Sequence, residues 1–223
     1  MLSLLNANEF FRLTRQPIPT SDEEVAAQLA HEKLIARDVG GRWNILNLGA
    51  ILFADDVQSF PGIVGKVVRV IKYAGFSRSE AAVETVGNRG YAIGFDRLVE
   101  FVHRRLPTQE VIRRALRGQR PLYPEIAIRE LIANALLHQN MTIPGTGPLI
   151  EIFTDRVEIT NPVQPLLATE RFIDLSPRSR NESLAWLMLL IPGEIDHHSE
   201  MKSPPFRFEI ARRSEMKSPT IPG

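Results

Sequence analysis

A carboxylate and a carboxamide four residues apart, Glu130 and Asn134, stand in the otherwise apolar stretch IRELIANALLHQ at 128–139. On a helix that spacing sets both side chains on one face. The pair has a definite chemistry: a carboxylate orients or deprotonates a water near a phosphate, and an amide oxygen one turn away is a hard ligand suited to Mg²⁺. Ala127 and Leu137 flank the pair, while Ile128, Ile132, Ala135 and Leu136 point roughly opposite. Both faces are then largely apolar, and the pair is expected in a surface that is at least partly covered. A covered carboxylate needs a partner, so a structural role calls for a cation such as Arg129 or Arg156. Two ordinary polar residues on a wet helix face are the third reading, and the spacing alone leaves all three open.

A second group is cationic. Arg104, Arg105, Arg113, Arg114, Arg117 and Arg120 crowd the segment 103–120, where Glu110 is the only acid. Such a cluster, expected here on helices, is ordinarily a solvated face, yet it also offers guanidinium groups to the phosphates of DNA or RNA. The whole chain has no polyelectrolyte field, with 27 basic and 26 acidic residues and a net charge of +1, so any nucleic-acid contact has to be local. Zero cysteines exclude disulfides, thiolate metal sites and cysteine nucleophiles, which fits a reducing compartment. His197 and His198 are adjacent, not at metal-ligand spacing. No run approaches the roughly 20 apolar residues of a membrane helix, and the start MLSLLNANEFF lacks a basic n-region with a long apolar core, so a cytoplasmic location is expected.

The elements that must position these groups are readable in outline from the 223 residues, 43% of them hydrophobic. Ser21 and Glu24 form a capping box, and Val25, Leu29 and Leu34 with Ala26 and Ala30 predict a helix near 22–35. Gly40 and Gly41 between short extended runs predict a hairpin, followed by the helical run LGAILFADD. Helix then hairpin is winged-helix-like. KVVRVIKY predicts a strand over 66–73, and Gly87, Gly90 and Gly94 lack phosphate-loop spacing and read as a connection. FDRLVEFVHRRL predicts an amphipathic helix carrying Phe95, Leu98, Val99, Val102 and Leu106. RPLYP at 120–124 is a break, after which a helix should run over 124–138. Leu149 to Phe153 and Val157 to Thr160 read as two strands around Thr154-Asp155-Arg156, RNESLAWLMLLI as a further helix, and SEMKSP occurs twice in a Pro- and Ser-rich tail expected to be poorly ordered.

YPEIAIRELIANALLHQN, GTGPLIEIFTDRVEITNP and SRNESLA together resemble the C-terminal ATPase-like domain of bacterial Schlafen/AlbA-type predicted transcriptional regulators, often labelled RecG-like helicases. The upstream text through LGAILFA resembles the segment those proteins carry before that domain, so the likeness runs over about 5–190. With the patterns above it implies an α/β (α+β) fold: a mixed α/β linker domain with a winged-helix-like segment over 1–120, then an incomplete α/β sandwich of the gyrase/Hsp90/histidine-kinase ATP-binding type over 121–191, while composition leaves 192–223 as a disordered tail. It also implies ATP and Mg²⁺, with Glu130 as the water-activating acid, Asn134 as the Mg²⁺-binding amide and Asn161 in the turn that approaches the adenine. The sequence departs from the pattern at Val163, where glycine is expected, and after SRNE, where IPGEIDHHSEMKSPP replaces a glycine-rich closing segment. The AlbA-type domain that would precede Met1 is missing, so the chain reads as a truncated member. The expectation is a transcriptional-regulator fragment with a degenerate ATP site. The alternative is a module that binds nucleic acid or docks a partner through the arginines and binds no nucleotide.

Overall fold

A computed structural model describes residues 2–113, 116–143, 145, 147–161, 181 and 184, with residue 2 and 109–113 and 116–120 as backbone alone. Two helices open the chain. Asn6 caps α1 (Ala7–Thr14), its side chain accepting from the Glu9 N–H, and Ser21 caps α2 (Asp22–His31) by accepting from the Glu24 N–H. α2 ends four residues earlier than the apolar spacing predicts. Lys33 takes left-handed backbone, and the N–H groups of Lys33 and Leu34 close on the carbonyls of Ala30 and Leu29. Leu34 is fully buried all the same, from the turn rather than from the helix.

The expected hairpin follows as β1 (Ile35–Arg37) and β2 (Trp43–Ile45), turning through Gly41 at φ 78°. Helix α3 (Asn47–Phe53) is buried over most of its length and meets α1 through an edge-on pair of Phe10 and Phe53 rings, 5.7 Å apart. The expected strand over 66–73 is shorter at its start: β3 (Arg69–Tyr73) is preceded by a 3-10 turn that takes Lys66. β4 (Ala82–Val86) was not anticipated; it pairs antiparallel with β3 along its whole length. Of the three glycines read as a connection, Gly90 precedes α4 (Tyr91–His103) and Gly94 lies inside it. A Cβ on Gly90 would sit 2.3 Å from the Leu52 carbonyl oxygen, so only glycine lets α4 start this close to α3.

The arginine segment departs most from expectation. It is a hairpin, β5 (Thr108–Arg113) with β6 (Leu116–Pro121), and not a helix. Pro107 stops the helical pattern, and Thr108, Val111 and Ile112 favour extended backbone. Helix α5 (Glu125–Leu137) and strands β7 (Leu149–Ile152) and β8 (Val157–Thr160) then fall within a residue or so of their predicted bounds.

The described residues therefore form a mixed α+β structure with five α-helices and three sheets, and the largest sheet runs β4-β3-β7-β8. β3 and β7 pair in parallel, from Arg69 beside Leu149 to Lys72 beside Ile152; the other pairs are antiparallel. The boundary expected at 120 lies between strands that share this sheet, since β3 and β4 precede it and β7 and β8 follow. Val70, Ile150 and Ile152 from the sheet join Phe95, Val99 and Val102 of α4 and Ile128, Ile132 and Leu136 of α5 in one core. Among the described residues no helix is long and apolar enough to cross a membrane. Of the helix expected over RNESLAWLMLLI only Asn181 and Leu184 are described, Leu184 as a buried helical residue, and Val163, His197, His198 and the tail lie outside the described residues.

The other sheet face carries charge. Glu151 is buried yet accepts from Arg78 Nε and Nη2 at 2.7 and 2.6 Å and from Tyr73 Oη at 3.0 Å. Arg78 also reaches Glu158 at 2.7 Å, and the Tyr73 and Phe153 rings stack 4.7 Å apart. The Arg78 guanidinium holds the Glu151 carboxyl below the usual carboxylate range, against the opposing effect of burial. A carboxyl depressed on folding stabilises the fold above its unfolded value of 4.5, and that contribution fades as pH falls through the folded value. Glu151→Gln is expected to cost about 1–2 kcal/mol at pH 7, discounted because Arg78 is over half exposed, with the deficit closing below about pH 4. Urea denaturation of both proteins across pH 3–7 measures it, and a deficit independent of pH would refute the assignment.

Candidate functional site

Helix α5 begins after Pro124 and presents Glu130 and Asn134 one turn apart. Both are exposed, so the partly covered surface expected for them is not what the fold builds. Asn134 Nδ2 donates to Glu130 Oε1 at 3.3 Å. Neither arginine named as a structural partner meets Glu130. Arg129 turns to Asp96 at 2.9 Å and lies over the Phe95 ring, and Arg156 pairs with Asp155 and Glu158 beside Phe153. The two faces of α5 thus divide as the spacing indicated, with Ile128, Ile132, Ala135 and Leu136 buried, and only the partial cover expected over the polar pair differs.

With its nitrogen committed to Glu130, the Asn134 amide turns its oxygen away from that contact, where it is available to a hard cation. Glu130 keeps a carboxylate oxygen outside the contact as well. No group of three or more His, Asp or Glu suited to a metal occurs among the described residues. A cation here would take one protein amide oxygen and fill its shell with water and phosphate oxygens, where Mg²⁺ ordinarily has one or two carboxylates as well. The pair offers such a cation one amide oxygen beside one carboxylate, and no larger ligand cluster among the described residues.

The end of α5 is tied down with unusual completeness. The last four carbonyls of a helix have no intrahelical donors. Here His138 N–H donates to Asn134 O at 3.0 Å, Asn161 Nδ2 to Ala135 O at 2.9 Å, Gln139 Nε2 to Leu136 O at 3.0 Å and Asn181 Nδ2 to Leu137 O at 2.8 Å. Asn161, expected near an adenine, therefore spends its amide nitrogen on the helix, while its Oδ1 is buried with no hydrogen-bond partner among the described residues. Asn181 bonds Gln139 O too, at 2.9 Å.

Below this end lies a buried polar node that the sequence reading missed. Lys66, almost fully buried, donates from Nζ to Asn140 O at 2.7 Å and to Ile143 O, and burial lowers its pKa from the ordinary lysine value. Tyr91 Oη donates to the Lys66 carbonyl and accepts from Gln139 Nε2 at 2.7 Å, and burial pushes the Tyr91 phenol up. A lysine opening a β-branched run gave no hint of burial. The only available signal was GTGP, because a Cβ on Gly65 would come within 2.5 Å of Gly145.

The arginines do not share one surface on a helix. Arg104 pairs with Glu100, and Arg105 lies 3.4 Å over the Phe101 ring, both exposed at the end of α4. Arg113, Arg117 and Arg120 belong to the β5–β6 hairpin, and Arg114 lies outside the described residues.

These elements define a mixed α+β protein with its helical core on one sheet face and an open polar pair on α5. No family model and no curated protein matches the sequence. Among solved structures the fold is similar to the crystal structure of the DIP2311 protein from Corynebacterium diphtheriae, with a TM-score of 0.57 at 13% sequence identity. The likeness covers 85% of this chain and 37% of that one, so the chain spans well under half the length of its neighbour. At such identity it speaks to the fold alone.

Replacing Asn181 by alanine strips the donor from Leu137 O and Gln139 O. We expect a loss of about 1–2 kcal/mol in unfolding free energy with faster amide exchange confined to the last turn of α5. Hydrogen exchange measures it; uniform acceleration across the fold, or none, would count against the cap.

Proposed function

We propose that this chain is a nucleotide-binding regulatory module of the Schlafen/AlbA-type transcriptional-regulator kind, with Mg·ATP seated against α5 and with turnover impaired. The observation that carries the reading is the open Glu130–Asn134 pair, one turn apart on a helix whose C-terminal end is fully bonded. A rigid helix holds an acid and an amide oxygen at a fixed separation, and positioning together with electrostatic stabilisation supplies most of the acceleration in phosphoryl transfer. Asn161 supports the reading with an orphaned acceptor beside Ala135, next to Asn134 in the chain.

In this arrangement Glu130 would be the residue to take a proton from a water at the terminal phosphate. Asn134 Oδ1 would hold the cation, and its Nδ2 donates to Glu130 Oε1, tying the two side chains together. Bound Mg²⁺ would supply charge neutralisation at the phosphate oxygens. Hydrolysis additionally needs a closed, water-poor phosphate environment. The glycine-rich closing segment is replaced in the sequence, and Val163 stands where the resemblance expects glycine. Binding and turnover should therefore separate.

Mg·ATP at about ten times its Kd is expected to raise the melting temperature by about 2–5 °C. Asn134→Ala should abolish the Mg²⁺-dependent part of that shift, and phosphate release by the wild-type chain should not exceed that of Glu130→Ala. The absence of any Mg·ATP shift removes the nucleotide reading. Turnover well above the Glu130→Ala control removes the claim of an impaired site.

A further inference from the structure

The α5 site uses none of the arginine segment, and β5 and β6 take no part in the four-stranded sheet. Among the described strands β5 and β6 pair only with each other, from Thr108 opposite Pro121 at the base to Arg113 opposite Leu116 beside the turn. The base is anchored: Leu122 N–H donates to Pro107 O at 2.9 Å, and Leu106 is buried. At about 3.3 Å per residue, six residue pairs make a ribbon about 20 Å long.

The ribbon's sequence sets Arg113, Arg114, Arg117 and Arg120 against the single acid Glu110. In register, Arg117 stands opposite Ile112 and Arg120 opposite Gln109, so the arginines are spread along the paired strands. Arg104 and Arg105, exposed at the end of α4, lead directly into it. No lysine occurs between 97 and 129; every strong cation there is arginine. The guanidinium fork matches phosphate oxygens and guanine edges in a way that an ammonium does not. A two-stranded ribbon is, with the α-helix, one of the two backbone shapes that the major groove of B-DNA admits, at a groove width of about 12 Å. An anionic membrane surface would instead favour a broad amphipathic face, which two strands do not make.

We propose that the β5–β6 ribbon is a nucleic-acid arm that lies in the major groove of duplex DNA, its arginines bonding phosphates without regard to sequence. The arm uses none of Glu130, Asn134 or Asn161, so it stands or falls apart from the nucleotide reading.

The test is fluorescence anisotropy of a labelled duplex of about 20 base pairs with the full chain, without Mg·ATP, between about 20 and 200 mM salt. With three arginines on phosphates, log K against log salt should fall with a slope of about −3. The triple variant Arg113→Ala, Arg117→Ala, Arg120→Ala should bind at least tenfold more weakly at low salt with a slope near zero, and Arg37→Ala, in the β1–β2 hairpin, should bind as wild type. The triple Arg→Lys variant keeps the charge and should keep the slope, which separates lost contacts from lost folding. The proposal is overturned if the wild-type chain does not bind at about 20 mM salt, if the alanine triple binds as wild type, or if the lysine triple loses as much as the alanine triple. Binding to anionic phospholipid vesicles with none to the duplex would also overturn it and make the ribbon a membrane contact. A Mg·ATP thermal shift unchanged in the alanine triple would keep the two readings distinguishable.

Discussion

The parallel pairing of β3 with β7 is the constraint on which the rest of the fold depends. Antiparallel neighbours can be joined by a tight turn, but parallel ones require the chain to travel back along the sheet. Here the return takes 75 residues, from Tyr73 to Leu149, and contains β4, α4, the β5–β6 ribbon and α5. The crossover must cover the apolar face that Val70, Ile150 and Ile152 present, and α4 and α5 do so with Phe95, Val99, Ile128 and Ile132. That requirement decides which side of α5 is buried, and by exclusion which side turns outward with Glu130 and Asn134. The ribbon is the part of the crossover that covering the sheet does not need, and it forms a sheet of its own.

The two faces of the central sheet are held by different physics. One is closed by aliphatic and aromatic burial, which is non-directional and tolerates rearrangement among similar volumes. The other is closed by directional bonds around Glu151, where Arg78 comes from the loop between β3 and β4 to clamp β7 and β8 together. A buried carboxylate is costly alone and becomes acceptable only with its lone pairs filled, which Arg78 and Tyr73 accomplish. The stacked Tyr73 and Phe153 rings complete that side.

Where local pattern and tertiary demand agree, the sequence was legible. α5, β7 and β8 follow from apolar periodicity and lie within about a residue of expectation, and the β1–β2 hairpin follows from its glycines. Legibility failed where a second segment decides the outcome. Ala82–Val86 is exposed along its whole length and shows no buried alternation, so only its bonds to β3 reveal it as a strand. Arginines 113–120 suited a solvated helix as well as a ribbon, and Pro107 was the discriminating residue. At the candidate site, the one-turn relation of Glu130 to Asn134 could be read from spacing, whereas their exposure depended on how α4 crosses α5. Asn161, Gln139 and Asn181 were out of reach as helix caps, because nothing in TNP, HQN or SRNE says that their amides converge on carbonyls of one helix end.

That convergence gives the chain a timetable. A helix ordinarily completes its C-terminal turn with residues immediately downstream, yet Leu137 O receives its donor from a residue 44 positions later. During synthesis at about 5–20 residues per second, roughly 2–9 s separate the two. Through that interval water must occupy the Leu137 carbonyl that Asn181 will take, and for a shorter one the Ala135 carbonyl that Asn161 will take. Helix α5 is thus spelled out early and sealed late, with the polar pair it carries reaching its final setting only after the sheet's last strand has been made.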